Sequence, residues 1–237
     1  MKRANPRRKL FGSLGAAVLL AAILTTAAAA AEPATSANLA FVPDQNIVLP
    51  TPTMAGGMPL MTALASRHSS REFGPDPLPL QTLSDLLWAA NGVNRPDSGK
   101  RTAATARNWQ SLDVYVVMAA GTYRYEPAGH ALVAVRPGDL RAATGAQPFV
   151  GEAAVNLVYV SDGAKMPGVE DPAQRALYDG THAGIVAQNV YLFATSEGLG
   201  VVLRAMVDRE ALGTALGLAE SQKVVMAQSV GHPKAGS

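Results

Sequence analysis

At 237 residues the chain is long enough for one domain with a real core behind a short leader. It has no cysteine, which excludes disulfides, thiolate nucleophiles, cysteine-ligated clusters and lipid attachment through an N-terminal cysteine. The formal charge of +2 includes five basic and no acidic residues among the first 31. Subtracting those five leaves −3 and no basic stripe for a nucleic-acid face.

Lys2, Arg3, Arg7, Arg8 and Lys9 precede an uncharged run from Leu10 to Ala31, which closes on Ala29-Ala30-Ala31 before Glu32. A charged head, an apolar stretch and small residues at its end read as a cleaved signal peptide over residues 1–31, so the chain is expected to be exported to the periplasm. The run is also long enough for a retained membrane anchor, although Ala and Thr make it weakly hydrophobic. Arg7-Arg8-Lys9-Leu10-Phe11 resembles a twin-arginine export signal, a route taken by proteins that fold around a cofactor before crossing. Residues 32–58, rich in Pro, Ala, Thr and Ser and without a sustained period, read as an extended leader. The domain proper is then residues 59–237.

Leu60, Leu64 and Ala65, with Thr62 and Ser66 among them, outline a short amphipathic helix that delivers Arg67-His68-Ser69-Ser70-Arg71-Glu72-Phe73. Two guanidiniums and two hydroxyls so close together suit a dianion. On a helix ending here Arg67 and Arg71 share a face, and each can give a bidentate, charge-assisted pair to a phosphate oxygen. Ser69 adds a hydroxyl donor between them. The same spacing also suits a solvated helix end, where cations complement the C-terminal dipole.

After Gly74-Pro75-Asp76-Pro77, Leu83, Leu86, Leu87 and Ala90 fall at helical spacing, and Asn91-Gly92 ends that helix. Residues 112–119, 123–125 and 132–135 are rich in β-branched and aromatic side chains and predict strands. A helical turn is expected over 139–144 and an apolar strand over 153–160. The longest helix starts near 173 or 179 and reaches 197, and its centre, 183–194, is apolar on nearly every side, which calls for more than one neighbour. A strand over 201–207, a helix over 209–216 and a strand over 223–230 complete an α+β pattern without the regular alternation of a doubly wound sheet.

His68, His130, His182 and His232 are widely spaced and form no H-x-x-x-H or H-E-x-x-H pattern, so no metal site is expected. No Gly-x-Ser-x-Gly elbow, phosphate loop or triad is legible, and the acidic residues stand singly rather than as a hydrolytic pair. No side chain is singled out as a catalytic acid, base or nucleophile.

Four blocks in order, over about residues 60–234, make the chain similar to the flavin-dependent nitroreductase family. Arg67 to Phe73 resembles that family's Arg-x-Ser-x-Arg/Lys-x-Phe element, which implies that Arg67, Ser69 and Arg71 hold the phosphate and ribityl chain of FMN. Residues 101–112 resemble its Pro-Ser-x-x-Asn-x-Gln-Pro stretch, with Thr105 at the Ser position and Asn108 at the flavin-contacting Asn, whose amide can both give and accept a hydrogen bond. Ala104 and Ser111 stand where the two prolines are customary. Gln188-Asn189 through Glu197-Gly198-Leu199-Gly200 resembles the buried helix ending in Gly-Leu-Gly, and the strand after it implies a backbone N–H facing flavin N5 near Ala205 or Met206. Val230-Gly231-His232-Pro233-Lys234 resembles a terminal Val-Gly-x-Pro before a basic phosphate ligand, here Lys234.

The resemblance implies an α+β fold with a mixed antiparallel sheet flanked by helices, a buried central helix, and a homodimer with FMN at its interface. It implies an FMN-dependent oxidoreductase moving hydride through N5 to or from a small organic substrate such as a nitroaromatic, a quinone or an azoline. Trp88-Ala89-Ala90-Asn91-Gly92 and Arg101-Thr102 are most similar to the azoline-oxidising dehydrogenases, which work beside partner proteins. For an exported enzyme, the organic substrate or an exported redox partner would replace NAD(P)H as reductant. Two readings stay beside this one. A flavin-binding scaffold without turnover is favoured by the departures at Ala104, Arg107 and Ser111, and a cofactor-free periplasmic module would use Arg67 and Arg71 for another anion.

Overall fold

The computed structural model describes residues 39 and 41–236, so the expected signal segment lies outside the described residues. The chain builds one antiparallel sheet with helices against it. Its strands are β1 (Asn46–Val48), β4 (Leu112–Met118), β5 (Gly121–Glu126), β6 (Ala131–Pro137), β7 (Val155–Asp162), β8 (Gly200–Arg204) and β9 (Gln222–Gly231). They run in the order β1-β6-β5-β4-β7-β9-β8, and every neighbouring pair is antiparallel. A separate ribbon pairs β2 (Val93–Arg95) with β3 (Lys100–Arg101).

The near-continuous apolar runs of the central strands follow from burial on both faces. In β4, Leu112, Val114, Val116 and Met118 belong to one core with Leu83, Leu86 and Leu87 of α2 (Leu80–Asn91) and Val186 and Val190 of α3 (Pro172–Ser196). Tyr115 and Val117, at the alternate positions, meet Leu212 and Leu216 of α4 (Arg209–Leu216) on the other face.

Asp171 starts α3 by accepting the backbone N–H groups of Ala173 and Gln174, and Pro172 takes the first turn, where no N–H is needed. The helix is 25 residues long. Its buried stripe is Asp179, His182, Ala183, Val186, Ala187, Val190, Tyr191 and Ala194, while Ile185 and Phe193 on its flanks are half-covered. No helix among the described residues is long and apolar enough to cross a membrane.

Three segments differ from the sequence reading. Residues 46–48, read as extended leader, pair as an edge strand with residues 131–133, and Leu49 beyond them is buried. Three residues are too few to carry a period. The helix α1 (Leu60–Ser66) stops before Arg67, which takes extended angles (φ −57°, ψ 123°), so Arg67 to Arg71 is not helical. The strand expected over 201–207 ends at Arg204, because Val207 N–H turns back on Ala205 C=O at 2.9 Å and Asp208 caps α4 through the N–H of Ala211.

Candidate functional site

The segment after α1 is docked on the open edge of the sheet. The N–H of Ser70 donates to the Val201 carbonyl at 2.9 Å, Gly74 N–H to His232 C=O at 2.8 Å, and Lys234 N–H to Glu72 C=O at 3.2 Å. Phe73 is the anchor, only 4% exposed and packed against Phe149, Ala153 and Val202, with the two phenyl centroids 6.0 Å apart. A Cβ on Gly200 would lie 3.3 Å from the Phe73 ring, and one on Gly231 would lie 3.2 Å from it and 3.0 Å from Ala154 N. These two glycines are what let the ring in.

Docking leaves a cleft of about 510 Å³ between the 66–72 stretch, the turn from Thr195 to Val201, Met58 and Pro233. Four residues expected at the site line it: Ser69, Arg71, Gly198 and Gly200. Gly198 (φ +68°) makes the left-handed turn that ends α3. The exposed Arg71 guanidinium makes no ion pair among the described residues. Lys234 is tied in beside Glu72 through its backbone.

Arg67 is half-buried and is not part of the cleft wall. Its guanidinium lies over the Tyr191 ring, 5.1 Å from the centroid. The Tyr191 hydroxyl is 2.8 Å from Ser69 Oγ and accepts the N–H of Leu203 at 2.9 Å. Sequence reasoning passed over Tyr191 as one more apolar residue of α3.

Thr105 and Asn108 are not in this cleft. Thr105 borders a second, largely apolar cavity of about 290 Å³ against Leu177, Tyr178, His182 and Ile185 of α3. The loop there holds Arg107, Asn108 and Gln110 at φ of 49°, 55° and 49°, sparsely populated values for side-chain-bearing residues. Its fixings are local. Thr105 Oγ1 accepts Gln110 N–H at 3.0 Å, Ala106 N–H donates to His182 Nε2 at 3.0 Å, and Trp109 packs edge-on against Tyr178 at 5.2 Å.

Because Nε2 of His182 accepts, its hydrogen sits on Nδ1 and donates to Ser111 Oγ at 3.1 Å. Burial lowers the His182 pKa against a smaller opposing effect from Asp179, so the ring is held neutral. Ser111 in place of proline has a structural reason, since proline has no hydroxyl to meet that ring. Asn108 is exposed, with its Oδ1 3.3 Å from Gln110 Nε2.

Ala205 and Met206 lie past the far end of β8 from Gly200, and Met206 is 63% exposed. Their carbonyls are engaged, Ala205's by Val207 N–H and Arg209 and Met206's by Ala146 N–H at 3.3 Å. Just before them Arg204 is 4% exposed and donates to the Thr144 carbonyl at 2.7 Å and to Asn156 Oδ1 at 3.0 Å. It has no carboxylate partner among the described residues, and burial pushes its pKa down to about 10. Among the described residues no three acidic or histidine side chains gather as a metal site would need.

Residues 64–232 match the model of the nitroreductase family. The chain belongs to that family. It is accordingly an oxidoreductase, with the α+β fold that family members share. Among relatives, a candidate nitroreductase of Methanocaldococcus jannaschii is 34% identical over 163 residues, 64% of this chain and 81% of that protein. A crystal structure of a candidate nitroreductase from Ralstonia eutropha superimposes with a TM-score of 0.78 at 41% identity, covering 86% of this chain and 95% of that one. An NADPH:FMN oxidoreductase from Vibrio harveyi, crystallised with NAD+, has a TM-score of 0.55 at 22% identity over 74% of this chain and 69% of its own, a likeness of fold alone.

Proposed function

We propose that the protein is an FMN-dependent oxidoreductase acting on a small organic substrate, a nitroaromatic, a quinone or an azoline-like ring. The observation that carries this reading is the cleft of about 510 Å³, within the size range of small-molecule sites, in which Ser69 and Arg71 meet the turn of Gly198 and Gly200. The donors fit a phosphate-bearing polyol. Arg71 brings a guanidinium without a carboxylate partner among the described residues, Ser69 and Ser70 bring hydroxyls, and Glu72 on the same wall repels an anion toward Arg71.

FMN, when bound, supplies the hydride chemistry at its N5. The residues of this chain then position and enclose it. Ser69 and Arg71 would hold the phosphate and ribityl end, with Arg67 and Lys234 close behind. At the turn of Ala205 and Met206, whose carbonyls are engaged, a backbone N–H would be the group to meet a flavin edge. Thr105 and Asn108 border or flank a different cavity from Ser69 and Arg71. That separation supports a homodimer in which one subunit contributes the Asn108 loop to the other's cleft.

We further propose that the chain is exported, with residues 1–31 removed, and that the organic substrate or an exported partner is its reductant. Fractionation with N-terminal sequencing of the recovered protein tests export, and reduction by NAD(P)H at the turnover rate would overturn the choice of reductant. The cofactor is tested by the visible spectrum of the purified full chain, followed by heat release and mass identification of the chromophore. Stoichiometric FMN supports the proposal. A colourless protein that also fails to take up added FMN would refute it and leave an anion-binding module.

A further inference from the structure

We propose that Tyr191 is a positioning residue that makes the Ser69 hydroxyl a dedicated hydrogen-bond donor into the cleft, directed at a phosphate or polyol oxygen of the ligand. The number of available hydrogens sets the direction of each bond here. β8 pairs with β9 on one side only, so the outward-facing carbonyl of Val201 and N–H of Leu203 need partners from elsewhere. Ser70 N–H takes the carbonyl at 2.9 Å, and the Tyr191 oxygen accepts the Leu203 N–H at 2.9 Å.

A phenol has one hydrogen. Tyr191 is only 8% exposed, and among the described residues its other hydrogen-bond partner is Ser69 Oγ at 2.8 Å. If Ser69 donated to Tyr191, the phenolic hydrogen would be buried without an acceptor, so the phenol donates to Ser69. Ser69 Oγ therefore accepts one hydrogen bond from behind, and its own hydrogen is left for whatever enters the cleft that it lines. The same ring carries Arg67 on its face at 5.1 Å. One side chain of α3 thus sets the donor order of the 67–71 segment and ties it to β8.

The proposal rests on the FMN reading, and its test separates the two. FMN affinity of the full chain is measured by flavin fluorescence for the wild type, Tyr191→Phe, Ser69→Ala and the double variant, with thermal melting to confirm that each folds. Tyr191→Phe keeps the ring under Arg67 and removes only the hydroxyl. Each single change is expected to weaken FMN about tenfold, the size of one good hydrogen bond, and the double variant to bind no worse than about the weaker single. Independent losses that multiply to about a hundredfold, or an unchanged Tyr191→Phe, would overturn the proposal. A wild-type chain that does not bind FMN counts against the cofactor reading instead. The four proteins are then compared by titration with inorganic phosphate, where the same coupling supports the role of Tyr191 and independent or absent losses overturn it.

Discussion

Replacing Phe73 by alanine should both destabilise the fold and empty the cleft. The ring is 4% exposed in a small cluster with Phe149, Ala153 and Val202, and Gly200 and Gly231 leave it space that no neighbouring side chain fills. Buried Phe→Ala changes cost roughly 3–5 kcal/mol when the site cannot collapse. The strand backbones around Phe73 are fixed by β8 and β9 pairing, so little collapse is available, while the cluster borders an open cleft that lets water in. The first effect keeps the loss within that range and the second pulls it toward the lower end, about 3 kcal/mol. Phe73→Leu, which keeps most of the volume, should cost about 1–1.5 kcal/mol. Urea unfolding of the three proteins measures both, with the slope checked for a common two-state transition. On the proposed FMN reading, FMN affinity should fall with stability, because Ser69 and Arg71 are held by the same anchor. A loss below about 1 kcal/mol for Phe73→Ala would refute the anchoring role. So would full stability loss with unchanged FMN affinity, since the docked segment would then be irrelevant to the cleft.

Ser111→Ala strands the buried Nδ1–H of His182 and should cost about 1–3 kcal/mol, seen as a lower melting temperature; no change would mean that His182 is satisfied otherwise. His182 and His130 are both held below the ordinary imidazole value of 6.5, chiefly by burial. The unfolded chain therefore takes up protons before the folded one, so stability is full above about pH 6.5 and declines as pH falls through that value toward the folded-state values. A melting temperature that rises between about pH 7 and pH 5.5 would contradict this. A Cβ on Gly145 would collide with the Arg204 guanidinium and come within 3.2 Å of the Met206 carbonyl. Gly145→Ala should cost about 2 kcal/mol, and much of that should disappear in an Arg204→Met background, where a double-mutant cycle reads the coupling; equal costs in both backgrounds would place the clash elsewhere.

The central strands and the long helices were legible because each carries its burial in its own residues. Val114 and Val116 alternate with Tyr115 and Val117 whatever lies elsewhere in the chain, and the apolar run of α3 is likewise local, although only one stripe of it is buried rather than nearly every side. What escaped the sequence depends on distant partners. β1 exists because residues 131–133 offer an edge, and Arg204 at the end of β8 is buried because Thr144 and Asn156 receive it. The kinship of Arg67, Ser69 and Arg71 was legible, but their geometry was not. Ser69 and Arg71 reach the cleft, but on a backbone that is not helical Arg67 turns to the Tyr191 ring instead. Tyr191 acts through a residue 122 positions away, and no local pattern marks a tyrosine whose hydroxyl is spoken for. The separation of Thr105 and Asn108 from the cleft is a fact of topology, invisible to a motif that lists residues in order.

The docking of Ser70 on β8, with Phe73 packed against Val202, ties ligand binding to colloidal behaviour. β8 is a terminal strand of the sheet, and an uncovered terminal strand is a template for another molecule's backbone. Ser70 and Phe73 partly cover it, so a substitution that loosens them bares a sticky margin as well as spoiling a pocket. Variants of the 67–73 segment would then be lost in screens as insoluble protein before any assay is run, and their apparent inactivity would need to be read beside a measurement of particle size.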